Sequence, residues 1–380
     1  MNFTFFLLPC KLGRSLAVAG LIAALAACSS TDKIKPAELA PNLALQAVRS
    51  AWTSQIGAVG FSLEPNVSGT TVTLAADDGT VAALDSATGR DLWRVQVGAP
   101  ITAGVGSDGK TAAVVTSANE LVAIEAGRVL WRQKLPAQAY TPPLVAGGRV
   151  FVITADRSVT ALDGASGAKL WTQQRPGDAL VLKQSGVFLA VGDTLVVGQS
   201  GRLLGLNPAN GSVRWDAPIA TSRGTNDVER LIDLVGSVSR VGNVVCARAF
   251  QSSVGCVDAG RGQVLWSKKS NGSVGVHGDE RLVIGAEADG KLVAWNRADG
   301  ERVWSSDLLL HRGLSAPLLV AKSVAVGDST GLLHLLSREN ASPLNRLTTD
   351  GSAISVSPVL AGKTIVVVTR NGGVYGFIPE

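Results

Sequence analysis

Ala161-Leu162-Asp163-Gly164-Ala165-Ser166-Gly167-Ala168-Lys169-Leu170-Trp171 reads as the end of one strand, a tight turn and a second strand that closes on tryptophan. The same phrase returns about every 40 residues, at 84–93, 206–215, 257–266 and 295–304, with a copy two residues shorter at 124–131. Asp or Asn opens each full turn because its short side chain can bond the backbone two residues on. Gly closes it because that position calls for a positive φ, which Gly adopts without steric cost. The flanking residues alternate and are rich in Val, Leu and Ile, as half-buried strands are. The Trp buries a large ring against the next unit, so its reading is packing. Repeats with a period of roughly 20–50 residues make solenoids, propellers or arrays.

Counting the units outward from this phrase predicts a closed ring. The Trp-strand positions are Trp52, Trp93, Trp131, Trp171, Trp215, Trp266, Trp304 and, degenerate, Asn345. The strands before them carry Leu84, Ile124, Leu162, Leu206, Val257, Trp295, Leu336 and Gly376. The two series are offset: the chain begins with a Trp strand and stops just after Val374-Tyr375-Gly376-Phe377-Ile378. An extra first strand and a missing last one are what ring closure needs, whereas an open solenoid needs polar caps. The expectation is therefore an all-β fold, an eight-bladed β-propeller of four-stranded antiparallel blades over residues 49–380, its ring closed by pairing of the N- and C-terminal strands. Seven blades is the alternative, if the unit at 336–345 were something else.

Composition agrees with this class. Apolar residues make up 46% of the 380, charged residues only 17%, and there are 43 Gly. Low charge, many Gly and short Val-rich runs favour strands over helices. The N-terminus stands apart. Lys11 and Arg14 precede an apolar run over 16–27, too short for a membrane span, that ends Leu25-Ala26-Ala27-Cys28. This resembles the lipobox of bacterial lipoproteins, which implies a signal peptide over 1–27, cleavage before Cys28 and acylation of Cys28, as by palmitate. Ser29 in place of Asp implies sorting to the outer membrane. Residues 28–48 are polar, carry Pro36 and Pro41, and read as a lipidated Cys and flexible tether. Loss of Lys11 and Arg14 lowers the basic count from 35 to 33 against 30 acids, a net charge of +3. That charge is too small and too dispersed for a nucleic-acid partner.

Of the four Cys, Cys246 and Cys256 remain in the predicted ring, on two runs that read as adjacent strands of one hairpin. An exported protein meets an oxidising compartment, so a disulfide between them is expected, with two buried free thiols as the alternative.

The intervals between Trp positions are 41, 38, 40, 44, 51 and 38 residues. The two long units place their surplus at 174–188 and 219–241. In repeat proteins such insertions map to loops on one face, often the binding face. The first contains Asp178-Ala179-Leu180-Val181-Leu182-Lys183, and the second Asp227, Glu229, Arg230 and Asp233 among Val228, Leu231 and Ile232. Apolar residues rimmed by charge suit a protein–protein contact. Leucines that merely plug the local blade are the alternative.

The whole chain resembles the BamB family of outer-membrane assembly lipoproteins: the lipobox, the short tether, the Ala51-Trp52 opening, the eight units, and the segments 306–312 and 326–334. The resemblance implies a non-enzymatic scaffold of the β-barrel assembly (BAM) complex, lipid-anchored in the outer membrane and facing the periplasm. It would bind the periplasmic POTRA domains of BamA and assist insertion of outer-membrane proteins. A separate reading makes the propeller a holder of unfolded client strands, accepted at exposed blade edges by β-augmentation. The family's partner-binding Leu-x-Leu-Arg falls on Leu180, Leu182 and Lys183, so Arg has become Lys. Its Asp-x-Asp falls on Asp233 and Val235, so the second acid is lost. Lys cannot make the bidentate contact of Arg.

The quinoprotein dehydrogenases share the tryptophan-docked repeat, and a PQQ-dependent enzyme is the alternative function. Such an enzyme needs a dense polar site, with six to eight oxygen ligands for calcium alone. The chain has no adjacent cysteines, and most of its repeated Asp positions are explained as turn residues. His277, His311 and His334 show no metal-ligand spacing and no nucleophile partner. No cofactor, metal or catalytic residue is expected.

Overall fold

In the computed structural model the Trp171 phrase folds as the second half of a four-stranded blade. Its strands are Leu144–Ala146, Arg149–Ile153, Ser158–Asp163 and Lys169–Gln174, paired antiparallel in that order. Asp163 Oδ1 accepts from Ser166 N–H at 2.8 Å, and Gly167 N–H donates to Asp163 O at 2.9 Å. Gly167 sits at φ 72°. The opening Asp and closing Gly thus do what the turn chemistry asks of them.

The structure describes residues 1, 34–60, 63–175, 180–221 and 231–380. Ala37–Glu380 forms one unit. Among the described residues it is all-β, an eight-bladed propeller of eight four-stranded sheets. We number the blades 1 to 8 from the one at 66–96 and letter their strands A to D from the axis outward. Blade 8 pairs the N-terminal strand Val48–Gln55 with the C-terminal strand Gly373–Pro379, so the first strand supplies the outer edge of the last blade.

Inner and outer strands differ in burial because neighbouring blades cover both faces of the former. In blade 1, strand C (Thr80–Asp85) is buried at all but its last residue, whereas strand D (Asp91–Gln96) alternates between exposed and half-buried. A strand covered on both faces becomes a continuous apolar run.

A tryptophan packs on the next blade at seven of the eight junctions. Trp52 Nε1–H donates to Ser86 O at 2.9 Å, Trp131 to Gly164 O at 2.9 Å, Trp171 to Pro208 O at 2.9 Å, Trp266 to Arg297 O at 2.7 Å and Trp304 to Arg338 O at 2.8 Å. Each acceptor is the residue after the one that opens the next blade's C–D turn. At the first four of these junctions the ring lies on the Gly that closes the turn: a Cβ on Gly89 would stand 2.3 Å from Trp52 Cε3. In the turn that receives Trp304 the closing position is Ala341, at φ 59°. Removing one such buried ring costs about 3–5 kcal/mol.

The junction from blade 7 to blade 8 has no intact C–D turn to dock on, because there the turn is replaced by the end of one strand and the start of another. Asn345 takes the Trp place, and its Nδ2–H donates to Gln46 O at 2.7 Å. The N-terminal segment supplies the missing carbonyl. From Ala37 onward this segment is laid on the ring as a strap. Ala37 N–H donates to Leu310 O at 2.9 Å, Asn42 Nδ2–H to Asn345 Oδ1 at 3.1 Å and Gln46 N–H to Leu344 O at 3.2 Å. Buried Arg312 donates to Ala37 O, to Asp328 Oδ2 and to Thr330 Oγ1. The tether expected through residue 48 therefore meets the propeller eleven residues earlier, at Ala37. Cys28 and the signal segment lie outside the described residues.

Candidate functional site

The D-to-A and B-to-C connections of an antiparallel blade emerge on the same face, opposite the Trp turns. The two long units lengthen consecutive D-to-A connections, from blade 3 to blade 4 and from blade 4 to blade 5. They are therefore neighbours on that face, and the structure ties them together.

Asp233 is the knot. Its Oδ2 accepts from Leu182 N–H at 3.0 Å, and its Oδ1 accepts from Ser200 N–H at 3.3 Å and pairs with Arg157 Nη1 at 3.4 Å. Arg157 Nη2–H in turn donates to Leu180 O at 2.8 Å. Arg157 and Ser200 belong to the B–C turns of blades 3 and 4, so four connections converge on one carboxylate. The Asp233 side chain is only 16% exposed and that of Arg157 8%. Charged groups withdrawn this far from water need partners, and each has them.

This clamp holds up a short ridge. Leu180 stands 41% exposed at its outer end, Leu182 is half-buried over a cleft shared with Tyr140, Ile153 and Gln199, and Lys183 is exposed. The four residues singled out from sequence are thus brought together, with different parts to play. Leu180 faces outward, and Lys183 is exposed at the axial end of the ridge. The Asp233 carboxylate faces inward and fixes the backbone of the leucines. Val235, at the place of the lost second acid, is buried and bridges Gly186. Asp178, Ala179, Asp227, Val228, Glu229 and Arg230 lie outside the described residues.

Beyond Lys183 the segment turns toward the ring axis. Lys183 and Gln184 share a cavity with Thr102 of blade 2 and with Val59, Ser355 and Arg370, residues flanking or within blade 8 across the ring. Gln184 Nε2–H donates to Ser273 O at 2.7 Å, Gly186 N–H to Thr141 Oγ1 at 3.0 Å and Gly236 N–H to Ser185 O at 2.9 Å. The insertion stoppers the mouth of the axial channel. Inside, Ser185 Oγ–H donates to Glu64 Oε1 at 3.0 Å. Burial pushes the Glu64 carboxyl up to about 7, and the Ser185 hydrogen bond only partly offsets this.

Arg157 and Glu64 were missed from sequence. Arg157 had a signal. Aligned on the other B–C turns it occupies the slot of Gly79, Asn119, Gly290, Gly331 and Gly372, and it adopts the same left-handed backbone, φ 64°. A large side chain in a glycine slot marks strain retained for a purpose. Glu64 had none, because its partners lie 121 residues away and more.

The histidines have local roles. His334 Nε2 lies 3.0 Å from Asp328 Oδ2, His277 Nδ1 accepts from Leu319 N–H at 3.1 Å, and His311 is exposed. Among the described residues no three His, Cys, Asp or Glu side chains converge in a metal-binding group. Cys246 and Cys256 pair across strands B and C of blade 5 and are joined by a disulfide, both fully buried.

A family model described as "Outer membrane protein assembly factor BamB" matches residues 77–306. The chain belongs to the BamB family. The outer membrane protein assembly factor BamB of Burkholderia pseudomallei is 36% identical over 371 residues, covering 96% of this chain and 97% of its own. That of Bordetella pertussis is 34% identical over 372 residues, covering 96% of each. Among solved structures, BamB from Moraxella catarrhalis superposes with a TM-score of 0.79 at 23% identity, covering 87% of this chain and all of its own, which speaks for the fold.

Proposed function

We propose that the chain is a non-enzymatic scaffold of the outer-membrane β-barrel assembly complex, anchored by lipid on Cys28 and facing the periplasm. Its partner is the periplasmic POTRA region of BamA, which docks on the ridge of Leu180, Leu182 and Lys183 held by Asp233. The carrying observation is the Asp233 clamp, which fixes the backbone of Leu182 and, through Arg157, that of Leu180. Leu180 is thereby presented to solvent on a rigid base rather than on a loose loop. A preorganised apolar contact with a charged neighbour binds more tightly than a mobile one, because less freedom is lost on docking.

The test uses the lipidated, detergent-extracted full chain and the purified periplasmic region of BamA. Leu180→Ala with Leu182→Ala should weaken binding by about tenfold or more, as truncation of central interface residues does. Leu308→Ala, at an exposed leucine away from the ridge, should leave it unchanged. Equal affinities for both variants and the unaltered protein would remove the ridge from the interface.

A further inference from the structure

Blades 1 and 5 stand opposite one another in an eight-membered ring, so a contact between them must cross the axis. Glu64 makes that contact. It leads into strand A of blade 1, Asn66–Ser68, and its carboxylate meets the two long connections on the other side. Ser185 Oγ–H donates to Oε1 at 3.0 Å, and the same oxygen lies where a Cβ on Gly236 would come within 1.9 Å of it. Ser185 and Gly236 are themselves joined, Gly236 N–H to Ser185 O. The Ser185 segment ends outward in Leu182 and Lys183, the Gly236 segment in Asp233. One carboxylate thus braces both arms of the ridge from behind, at the point where they meet.

We infer that Glu64 is a positioning residue for the docking ridge, acting through Ser185 and Gly236, and that its ionised form holds the ridge in its binding geometry. The inference rests on the ridge being the partner site. The physical cause is electrostatic. The cavities on either side of Glu64 are lined by Asn66, Ser107, Thr141, Gln184, Ser237 and Ser355 with other neutral residues, and, among the described residues, by no other Asp or Glu and no Lys, Arg or His. The adjoining cavity, which shares Gln184 and Ser355, carries Lys183 and Arg370, and Asp233 is paired with Arg157 on the ridge. With no counter-charge lining these cavities, the carboxylate leans on the Ser185 hydroxyl, and a hydrogen bond to an ionised acceptor is roughly twice as strong as one to a neutral group. Burial brings the titration of this carboxyl to about neutrality. The brace is therefore tight above neutral pH and slack below it.

The experiment measures affinity for the BamA periplasmic region from pH 6 to pH 8 with the full chain, for the unaltered protein, Glu64→Gln, Glu64→Ala and the Leu180→Ala, Leu182→Ala pair. The unaltered protein should bind several-fold more tightly at pH 8 than at pH 6. Glu64→Gln, which keeps the shape and an acceptor for Ser185, should bind at the pH 6 level throughout, and Glu64→Ala more weakly still. Amide hydrogen exchange at one fixed pH should be faster at Leu182 and Gly236 in Glu64→Ala, with the blade interiors unchanged. A pH profile in Glu64→Gln that matches the unaltered protein overturns the inference while the leucine pair still loses binding. If the leucine pair binds normally, the ridge reading falls and this inference with it.

Discussion

A single carboxyl on the axis gives the molecule a pH-dependent stability that can be predicted in sign. Glu64 is raised from an ordinary 4.5 to about 7 by burial. An acid whose folded pKa is raised contributes its full stability below the unfolded pKa and loses it as pH rises through the folded one. The protein should therefore be more stable at pH 5 than at pH 8, by on the order of 2–3 kcal/mol from this group. Thermal unfolding across that window should show the trend, and Glu64→Gln should flatten it. An unchanged slope in the variant would mean that the carboxyl is solvated in the folded protein. Asp328 works in the opposite sense. Burial raises its carboxyl, but hydrogen bonds from His334, the Leu332 amide, Thr330 and Arg312 outweigh this and hold it far below the usual range. Its contribution is present above the ordinary Asp pKa and fades only in strong acid, so it does not mask the Glu64 trend. The Asp233 carboxylate accepts from the Leu182 and Ser200 amides and pairs with buried Arg157, so Asp233→Ala disturbs the ridge from within, and only the leucines separate contact from support.

At the scale of the element, the blade is a modular unit with one covalent exception. Blade 5 carries the Cys246–Cys256 bond between its two central strands, closing a loop of sequence separation 10. A loop of that length restrains the unfolded chain by about 2–3 kcal/mol. Cys246→Ser with Cys256→Ser should lower stability by that amount. Intact mass of protein taken from the periplasm should fall short of the dithiol by two hydrogens, and full recovery of the dithiol mass would show the bond absent there. Much of the blade was legible beforehand because its grammar is local. Asp163, Gly167 and Trp171 announce a turn and a strand from spacing alone, and the surplus length at 174–188 and 219–241 pointed to the face that carries the ridge. What was not legible depends on where blades meet. Nothing near Glu64 hints at a partner on blade 5. Arg157 could have been found by aligning the repeats on their B–C turns rather than on their Trp turns. The strap was invisible because Ala37 to Ala47 has no strand alternation and takes its place through single hydrogen bonds to blade 7.

The ring as a whole closes by a different device from the one that joins its blades. Seven junctions set a Trp on the next blade, and the eighth sets Asn345 on the strap. Asn345→Ala removes the side-chain donor to Gln46 O and one of two acceptors of the Asn42 amide, which keeps Arg346 O. It should lower stability by about 1–2 kcal/mol, and limited proteolysis should nick the segment before Val48 several-fold faster. Equal nicking rates in the two proteins would mean that the strap is held by Arg312 and its other contacts alone. The degenerate position that made a seven-bladed ring conceivable is thus a substitution suited to its neighbour, since the turn a Trp would meet there is interrupted.

The same seam sets an order of events when the chain is made. Asn42 and Asn345 are 303 residues apart, and Val48–Gln55 pairs with Gly373–Pro379. Contacts of such separation form slowly, because a long stretch of chain must be ordered before they are rewarded. The strap and the first strand are made before their partners. Until the last strand arrives, seven blades can assemble and the strap can lie on blade 7, but the first strand, Val48–Gln55, has no β partner. That strand waits as an unpaired β edge, and its protection during that interval depends on the pace at which the rest of the chain arrives rather than on the stability of the finished ring.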